Sequence, residues 1–309
     1  MLNTRHIHVD YAGYIKLKNY KMSEVKFKYW IKAARLKTLL VSMAPVIMSV
    51  AFVSMYMTIK WLPAVICLIF AVMAQVLSNF VNDYADGLKG TDNERLGPQY
   101  MISSGFISQQ QMLRGIIVWA ILTFIVGCTL LYYGGWILLP FGIVIMLCAI
   151  AYSGGPFPLS RHALGDVAVL LFYGIAPVVL TFFIQTGFVN WQIVVAGLAI
   201  GIVVDNLLIV NNYRDAENDA KNGKKTTVTL FGKTFMRYLF YLNPIIAIIL
   251  IYLVFKNNTM FFYFIPFLIY SVFVSRKFSK AKGMEFNKLI GMAPLEAIIF
   301  ALTVVIYII

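Results

Sequence analysis

The sequence is poor in charged residues, acidic ones above all, and it contains only three cysteines and three histidines. Charged residues make up 13% of its 309 positions and hydrophobic residues 61%, which excludes an ordinary soluble globular protein. Cys67, Cys128 and Cys148 lack CxxC spacing and lie in apolar segments, so neither a disulfide framework nor a zinc site is indicated. The histidines are too scattered to suggest a metal cluster.

Apolar segments fill most of the chain, and each approaches the roughly 20 residues that a helix needs to cross a bilayer. The nine segments are residues 39–57, 61–81, 115–133, 136–152, 166–183, 191–210, 235–255, 260–275 and 289–309. Several are short or adjoin a neighbour, which leaves eight as an alternative count. We therefore predict an all-α integral membrane protein in which about nine transmembrane helices form a bundle around a central cavity.

The basic residues indicate how this bundle is oriented. Of 26 Lys and Arg residues, all but Lys60 and Lys256 lie before the first segment or in alternate connections. The positive-inside rule places that side, with the N-terminus, in the cytoplasm and the C-terminus outside. Membrane orientation and attraction to anionic lipid explain the net charge of +13 without nucleic acid. We expect residues 1–29 to form a basic, uncleaved cytoplasmic tail, followed by a transmembrane domain over residues 30–309.

Acidic residues concentrate in two stretches, each at the predicted cytoplasmic end of an apolar segment. The first stretch is NDYADGLKGTDNERLGP, residues 82–98, and the second is DNLLIVNNYRDAENDAKNGKKTT, residues 205–227. Their principal acids are Asp83, Asp86 and Asp92 in the first and Asp205, Asp215 and Asp219 in the second. Carboxylates that converge without partners repel one another, so the two clusters indicate a site for cations.

Helical spacing extends each cluster into the membrane as a polar stripe. The first stripe, with spacings of 4, 3 and 4, consists of Gln75, Asn79, Asn82 and Asp86. The second, with spacings of 7 and 7, consists of Asp205, Asn212 and Asp219, and Asp215 precedes Asp219 by one turn. Because polar groups are costly in lipid, both stripes should face a shared interior cavity. For Gln75 and Asn79, hydrogen bonding between helices is the alternative.

These two groups suit the binding of a magnesium–diphosphate complex. Mg²⁺ takes hard oxygen ligands and commonly combines a few carboxylates with substrate phosphates. The nearby basic residues that would neutralise the remaining diphosphate charge are Lys89, Arg95, Arg214 and Lys224. The organic part of the substrate would extend into the apolar bundle. A diphosphate head on a long hydrocarbon tail is a polyprenyl diphosphate.

Three long motifs resemble the UbiA superfamily of intramembrane prenyltransferases, and most closely its 1,4-dihydroxy-2-naphthoate polyprenyltransferases of menaquinone synthesis. They are NDYADGLKGTDNERLGP at residues 82–98, YSGGPFPLSRHALGD at 152–166 and NNYRDAENDAKNGKKT at 211–226. A weaker fourth is WIKAARLKTL at 30–39, similar to the family's entry into its first span. The resemblance covers nearly the whole chain in order, and it implies a bundle that usually has nine spans.

The resemblance also implies roles for individual residues. It implies magnesium ligation by Asn82, Asp86, Asp215 and Asp219, with Asp83 and Asp92 in support. It implies diphosphate binding by Arg35, Lys89, Arg95, Arg214 and Lys224. The cavity and the acceptor pocket are expected to include Asn79, Tyr152, Asp205, Asn211 and Asn212. Two positions depart from the family pattern: Leu36 replaces a common Pro, and Tyr100 replaces a usual Arg, which removes a phosphate contact.

The expected reaction is magnesium-assisted loss of diphosphate, attack by the dihydroxynaphthoate ring on the prenyl group and loss of carbon dioxide, giving demethylmenaquinol. The partners are the polyprenyl diphosphate, the aromatic acceptor and membrane lipid, with no obligate protein partner. Alternative UbiA-type acceptors are 4-hydroxybenzoate, a glycerophosphate, haem or a chlorophyll precursor. A CDP-alcohol phosphotransferase is disfavoured because its acidic residues belong to a single motif, a pattern that neither acidic stretch of this chain matches. An ion-coupled transporter is favoured only by Asp205 and Glu296, which lie deeper in the membrane.

Overall fold

The computed structural model describes residues 26–88, 97 and 100–309. The helices of this part of the chain are α1 (Lys26–Ala34), α2 (Leu40–Ser54), α3 (Trp61–Leu88), α4 (Gln109–Gly134), α5 (Leu138–Ala151), α6 (Gly165–Thr186), α7 (Trp191–Lys221), α8 (Thr227–Phe255), α9 (Met260–Tyr263), α10 (Ile265–Lys280) and α11 (Phe286–Ile308). Within these ranges the only β pairing is one bridge between His162 and Lys225. The prediction of an all-α protein is confirmed.

Each of the nine predicted apolar segments is helical, but they differ in their capacity to cross a bilayer. By length and composition, α3, α4, α6, α7, α8 and a helix over Gly283–Ile308 qualify as six spans within the described residues. Helices α1 and α2 meet at a bend of 51° and would together add a seventh, whereas α5 has only 14 residues. A multi-pass membrane protein is confirmed, and the count of nine spans is not established.

Local side-chain chemistry explains where several helices begin. At the start of α4, the Ser108 hydroxyl accepts a hydrogen bond from the backbone N–H of Gln111 at 3.2 Å. The Gln111 side-chain oxygen accepts one from the backbone N–H of Ser108 at 3.1 Å. Thr226 caps α8 in the same way through Thr229. The Asn190 side chain caps α7 by accepting from the Ile193 N–H at 3.0 Å. These contacts satisfy N–H groups that a helix start leaves without partners.

Apolar side chains on the outside of the bundle indicate the surface that faces lipid. Exposed aromatic residues lie near the ends of α3, α4, α5 and α7 in the connections predicted to be external; these are Trp61, Tyr132, Trp136 and Trp191. The Asn190 amide donates to the Tyr56 hydroxyl at 3.0 Å, so two of these connections lie at the same end. Exposed Trp and Tyr residues near helix ends are typical of a membrane–water interface.

Helix α7 is the central element of the fold, and it packs closely against α6. A π-helical turn, Leu170–Ile175, interrupts α6, and Gly174 in this turn faces Gly197 and Gly201 of α7. A Cβ atom on Gly174 would lie 2.5 Å from the carbonyl oxygen of Gly197 and 2.7 Å from the Gly201 Cα. Only glycine permits this approach, which brings the two helix backbones into contact beside the cavity described below.

A buried polar network joins α7 to α8 and α11 on its other side. The Asn206 amide donates to Glu296 at 3.2 Å, and the Asn243 amide donates to Asn206 at 2.9 Å. All three side chains are buried. Glu296, one of two residues that favoured a transporter, therefore participates in contacts between helices.

The first helix crosses the predicted boundary between tail and membrane domain. That boundary, between residues 29 and 30, falls inside α1. Tyr29 stacks on Phe106 with ring centroids 4.2 Å apart, and Trp30 packs against Phe80. Residues on both sides of the predicted boundary therefore contact the helix bundle, and the boundary stays a prediction.

Candidate functional site

A polar cavity opens between α2, α3, α6 and α7 and has about 1040 Å³ of space, counting its open mouth. Its wall on α3 includes the whole first polar stripe, Gln75, Asn79, Asn82 and Asp86. The predicted residues that line it are Arg35, Asn79, Asn82, Asp86, Tyr152, Asn211, Asn212, Asp215 and Lys224. Both acidic motifs thus contribute side chains to one polar cavity.

Other predicted residues lie elsewhere. Lys89, Asp92 and Arg95 lie outside the described residues. Asp83, Asp205, Arg214 and Asp219 are described but do not belong to the cavity wall. On α7 the wall is formed by Val204, Leu207, Leu208, Asn211, Asn212 and Asp215. The face that points inward therefore differs from the predicted stripe of Asp205, Asn212 and Asp219.

Asn82 and Asp86 are held by residues from three other parts of the chain. The Asn82 carbonyl oxygen accepts from the Arg35 guanidinium at 3.0 Å, and its amide donates to the Ser153 hydroxyl at 2.9 Å. The Asp86 carboxylate accepts from the Tyr100 hydroxyl at 2.7 Å, and the Arg161 guanidinium lies 3.7 Å away. The first motif is therefore ordered by hydrogen bonds as well as by its own helix.

Arg35 occupies the bend between α1 and α2. Its backbone has φ 52° and ψ 59°, the left-handed conformation that non-glycine residues adopt at an energetic cost. The chain then makes a short 3₁₀ turn, Leu36–Thr38, before α2 begins. The helix thus bends at this point although Leu36 stands where the family often has proline. The bend directs the Arg35 side chain at Asn82 and over the Tyr100 ring, 5.3 Å from its centroid.

Tyr100 replaces the usual arginine of the subgroup, and its contacts show what it does in this chain. Its side chain is buried, and its hydroxyl is fixed on Asp86. Two arginines, Arg35 and Arg161, bring positive charge to the same place. Positively charged side chains therefore lie beside Asp86 although Tyr100 replaces an arginine.

Asp83 lies off the cavity wall, and its supporting role in the cation site stays a prediction. It is 2% exposed, and its two carboxylate oxygens accept from the backbone N–H groups of Met101 at 2.9 Å and Ile102 at 3.2 Å. Adjacent helical residues point in different directions, so Asp83 cannot share the inward face of Asn82 and Asp86. It ties the chain after the first motif to α3.

Arg214 is also placed differently from the prediction. Its side chain is fully buried and donates to both oxygens of the neighbouring Asp215, at 2.8 and 2.7 Å, and to Asn287 at 2.9 Å. It does not line the cavity. Arg214 holds Asp215 in this structure, and its predicted contact with diphosphate stays a prediction.

This position predicts a stability defect for Arg214→Ala. Removing the guanidinium leaves the Asp215 carboxylate buried without its compensating charge, a change that typically costs about 3–5 kcal/mol. We expect a large fall in the thermal midpoint of the purified protein in detergent. Arg214→Lys, which keeps the charge but loses the paired geometry, should give a smaller fall. Unchanged stability with a raised KM for the diphosphate substrate alone would instead support direct phosphate contact.

Asp219 reaches the cavity through a lysine. The Lys224 ammonium lies 3.1 and 3.3 Å from the two Asp219 oxygens and itself lines the cavity. Asp205 lies deeper on α7 and is 5% exposed. Asp205 and Asp219 are therefore near the polar cavity but do not form its wall.

The loop from Tyr152 to Asp166 closes the cavity against the second motif. The Ala163 N–H donates to the Lys225 carbonyl at 2.9 Å, and the Lys225 N–H donates to the Arg161 carbonyl at 3.1 Å. Ala163 has φ 58°, a left-handed conformation that this pairing holds. The loop thereby brings Ser153 to Asn82 and Arg161 to Asp86.

An apolar chamber continues from the polar cavity. It is enclosed by α2 to α6, with about 1220 Å³ of space including its opening, and its wall includes Phe70, Leu131, Ile143 and Leu180. Four residues line both spaces: Gln75, Ser78, Tyr152 and Tyr173. The two together form a path that is polar and charged at one end and apolar at the other.

Four site residues escaped the sequence analysis: Tyr173, Ser153, Arg161 and Asp166. Tyr173 lies in the π-helical turn of α6, and its hydroxyl donates a short hydrogen bond to Gln75. Nothing in an apolar run signals that one tyrosine points inward. Asp166 lines the cavity and was visible as the last residue of the 152–166 motif.

The oxygen ligands of the cavity fit a magnesium ion that is bound jointly with a diphosphate. Among the described residues, no group of three or more His, Cys, Asp or Glu side chains is arranged to hold a metal. Asn82, Asp86 and Asp215 nevertheless line one space with hard oxygen ligands. Mg²⁺ commonly uses one or two carboxylates and completes its shell with water and substrate phosphate.

The fold and this cavity define a multi-pass, all-helical membrane protein with an interior site for an amphipathic substrate. The chain belongs to the UbiA prenyltransferase family, whose pattern it matches over residues 6–285. It is therefore an intramembrane prenyltransferase, and the interpretation as a transporter is not favoured.

Two curated relatives and one solved structure place the chain within the family. It is similar to the 1,4-dihydroxy-2-naphthoate octaprenyltransferase of Haemophilus influenzae, with 35% identity over 70% of this chain and 73% of that protein. The enzyme of the same name from Escherichia coli is 32% identical over 66% and 68%. A UbiA homologue from Archaeoglobus fulgidus bound to GPP and Mg²⁺ has the same fold, with a TM-score of 0.62, 17% identity and coverage of 90% and 99%.

Proposed function

We propose that this protein transfers a polyprenyl group from a polyprenyl diphosphate to 1,4-dihydroxy-2-naphthoate. Diphosphate and carbon dioxide leave, and the product is demethylmenaquinol. The observation that carries the proposal is the polar cavity that opens into an apolar chamber through Gln75, Ser78, Tyr152 and Tyr173. The identity of the acceptor is supported by the names of the two bacterial relatives.

The polar cavity would hold the diphosphate head. We assign Asn82, Asp86, Asp215 and Asp219 as ligands of the metal–diphosphate complex. When bound, Mg²⁺ would neutralise charge that develops on the departing diphosphate. Arg35 and Lys224, which line the cavity, would contact the remaining phosphate oxygens. Lys89, Arg95 and Asp92 remain part of this proposal through the motif alone.

The apolar chamber would hold the prenyl chain. A hydrocarbon chain gains free energy when it leaves water for an apolar wall, about 0.8 kcal/mol per buried methylene group. With the head between α3 and α7 and the tail among α3 to α6, the reacting carbon lies near Tyr173 and Gln75. Such anchoring at both ends aligns the carbon with an acceptor in the cavity.

The acceptor would bind on the cavity side of this junction. Tyr152, Asn211 and Asn212 line that side, with Asn79 on the opposite wall, and Tyr152 also borders the chamber. Aromatic and amide side chains suit a flat ring that carries hydroxyl and carboxylate groups. Attack on the prenyl carbon follows once diphosphate has begun to leave.

The proposed orientation places the cavity mouth and the N-terminus in the cytoplasm. It rests on the Lys and Arg bias between the two sides of the membrane. We further propose that the basic segment before α1 is a cytoplasmic tail that associates with anionic lipid. The packing of Tyr29 on Phe106 supports a membrane domain that starts within α1.

Incubation of the purified protein with Mg²⁺, a polyprenyl diphosphate and dihydroxynaphthoate should yield a prenylated product whose mass shows loss of carbon dioxide. EDTA should stop the reaction, and added Mg²⁺ should restore it, because Mg²⁺ is commonly held by one or two carboxylates together with substrate phosphates and so stays accessible to a chelator. A parallel reaction with 4-hydroxybenzoate serves as the control for the acceptor. Preferential turnover of 4-hydroxybenzoate would refute the assigned acceptor, and full activity in EDTA would refute the role of the metal.

A further inference from the structure

Asp166 is a cavity carboxylate whose surroundings differ from those of the metal-ligand candidates. It lies in the first turn of α6, and its Oδ1 atom accepts from the Thr227 hydroxyl at 3.0 Å. Its Oδ2 atom is buried and has no hydrogen-bond partner among the described residues. Buried carboxylate oxygens are nearly always hydrogen-bonded, so this oxygen is an acceptor that awaits a donor.

The charges around Asp166 also set it apart. Asp86 lies beside Arg161, and Asp215 is paired with Arg214, as expected for groups near a diphosphate. Asp166 forms no ion pair within the described part of the chain; its one hydrogen-bonded side chain is the neutral Thr227. Asp205, deeper on α7, brings a second carboxylate close to Asp166. Negative surroundings suit contact with a hydroxyl donor better than contact with phosphate.

Asp166 lies beside the proposed acceptor pocket. Asp166 and its neighbour Gly165 both line the cavity, and a Cβ atom on Gly165 would lie 3.6 Å from the Tyr152 hydroxyl. Tyr152 is one of the four residues that border both the cavity and the apolar chamber. An aromatic ring at this junction would therefore present its edge to Asp166 and to the end of the prenyl chain.

We propose that Asp166 accepts the hydrogen bond, and then the proton, of the ring hydroxyl of the aromatic acceptor during prenyl transfer. This inference rests on the proposed function. As the O–H bond breaks, its proton moves to Asp166 Oδ2, and the ring forms a C–C bond to the prenyl carbon. The bond from that carbon to diphosphate breaks, and its electron pair leaves with diphosphate. When carbon dioxide departs from the same ring carbon, its bonding electrons restore the aromatic ring, and Asp166 returns the proton to the ring oxygen.

Asp166→Asn tests this role, because asparagine keeps the size of the side chain and an oxygen for Thr227 but does not accept a proton. We expect kcat to fall by about 100-fold or more, the range typical of a lost general base. The KM for the polyprenyl diphosphate should stay within about twofold of wild type, because the diphosphate ligands are intact. The matched control is Glu217→Gln, which neutralises an exposed carboxylate on α7 outside the cavity and should leave kcat unchanged.

An acceptor with a more acidic hydroxyl separates proton transfer from a structural effect. With a dihydroxynaphthoate analogue whose electron-withdrawing substituent ionises that hydroxyl at the assay pH, the ratio of wild-type to variant rate should shrink about tenfold or more. An unchanged ratio would refute proton acceptance. If Asp166→Asn lowers the thermal midpoint, Thr227→Val becomes the test. It keeps the Asp166 carboxylate but removes the hydroxyl that donates to it, so an unaltered kcat in Thr227→Val would contradict the proposal. If wild-type protein does not prenylate dihydroxynaphthoate, the proposed function fails, whereas normal kcat in Asp166→Asn overturns only this inference.

Discussion

Replacing Asp86 with alanine should lower magnesium-dependent prenyl transfer by at least about 100-fold, the scale expected when one preorganised electrostatic group is lost from an active site. Asp86 is the carboxylate on which the Tyr100 hydroxyl and the Arg161 guanidinium converge, and it shares the cavity with Asn82 and Asp215. Without it, the proposed metal–diphosphate complex loses a charged ligand. Steady-state rates with saturating acceptor, measured across a range of Mg²⁺ concentrations, test the prediction.

Two further variants make the Asp86 result specific. Glu217→Ala removes an acid from the exposed surface of α7 and should leave the rate unchanged. Asp83→Ala should mainly lower the thermal midpoint, because the Met101 and Ile102 N–H groups lose their acceptor. Turnover by Asp86→Ala within a few-fold of wild type, in protein that is fully inserted, would refute Asp86 as a metal ligand.

The contrast between Asp83 and Asp86 shows how far the sequence could be read. A stripe with spacings of 4, 3 and 4 in an apolar helix predicts an inward polar face, and all four of its members line the cavity. Gln75 and Asn79 also form hydrogen bonds to other helices, which was the alternative interpretation. Asp83 has the same chemistry and lies in the same motif, but its helical phase directs it to backbone N–H groups instead. Helical periodicity predicted which side chains of α3 point into the cavity, whereas membership in the motif did not.

Loop contacts account for most of what the sequence could not predict. Arg161 meets Asp86 where the 152–166 loop pairs with Lys225 of the second motif, a contact between distant segments. Arg214 looked like a phosphate ligand because its motif is basic, yet its side chain turns to Asp215 and Asn287. The direction of the Tyr173 side chain depends on a π-helical turn. This turn shifts the phase of α6, so a periodicity of 3.6 residues per turn does not predict which of its residues point inward.

That π-helical turn yields the second prediction with a large effect: Gly174→Ala should destabilise the protein by about 3 kcal/mol, the upper part of the range for overpacking a close contact. The added Cβ would lie 2.5 Å from the Gly197 carbonyl oxygen and 2.7 Å from the Gly201 Cα, so helix backbones must separate. Backbone atoms of α7 cannot rotate away as a side chain would. Thermal unfolding of the purified protein in detergent measures the change.

Gly142→Ala is the matched control, because Gly142 also lies in a helix, but a Cβ there meets nothing within 4 Å. It should be neutral or stabilising by less than about 1 kcal/mol, the difference in helix propensity between the two residues. Gly174→Ala should also reduce prenyl transfer, since separating α6 from α7 displaces the adjacent Tyr173 from Gln75 at the junction of cavity and chamber. Equal thermal midpoints for the two variants would show that the α6–α7 contact tolerates a methyl group, and the close approach would then have no part in positioning Tyr173.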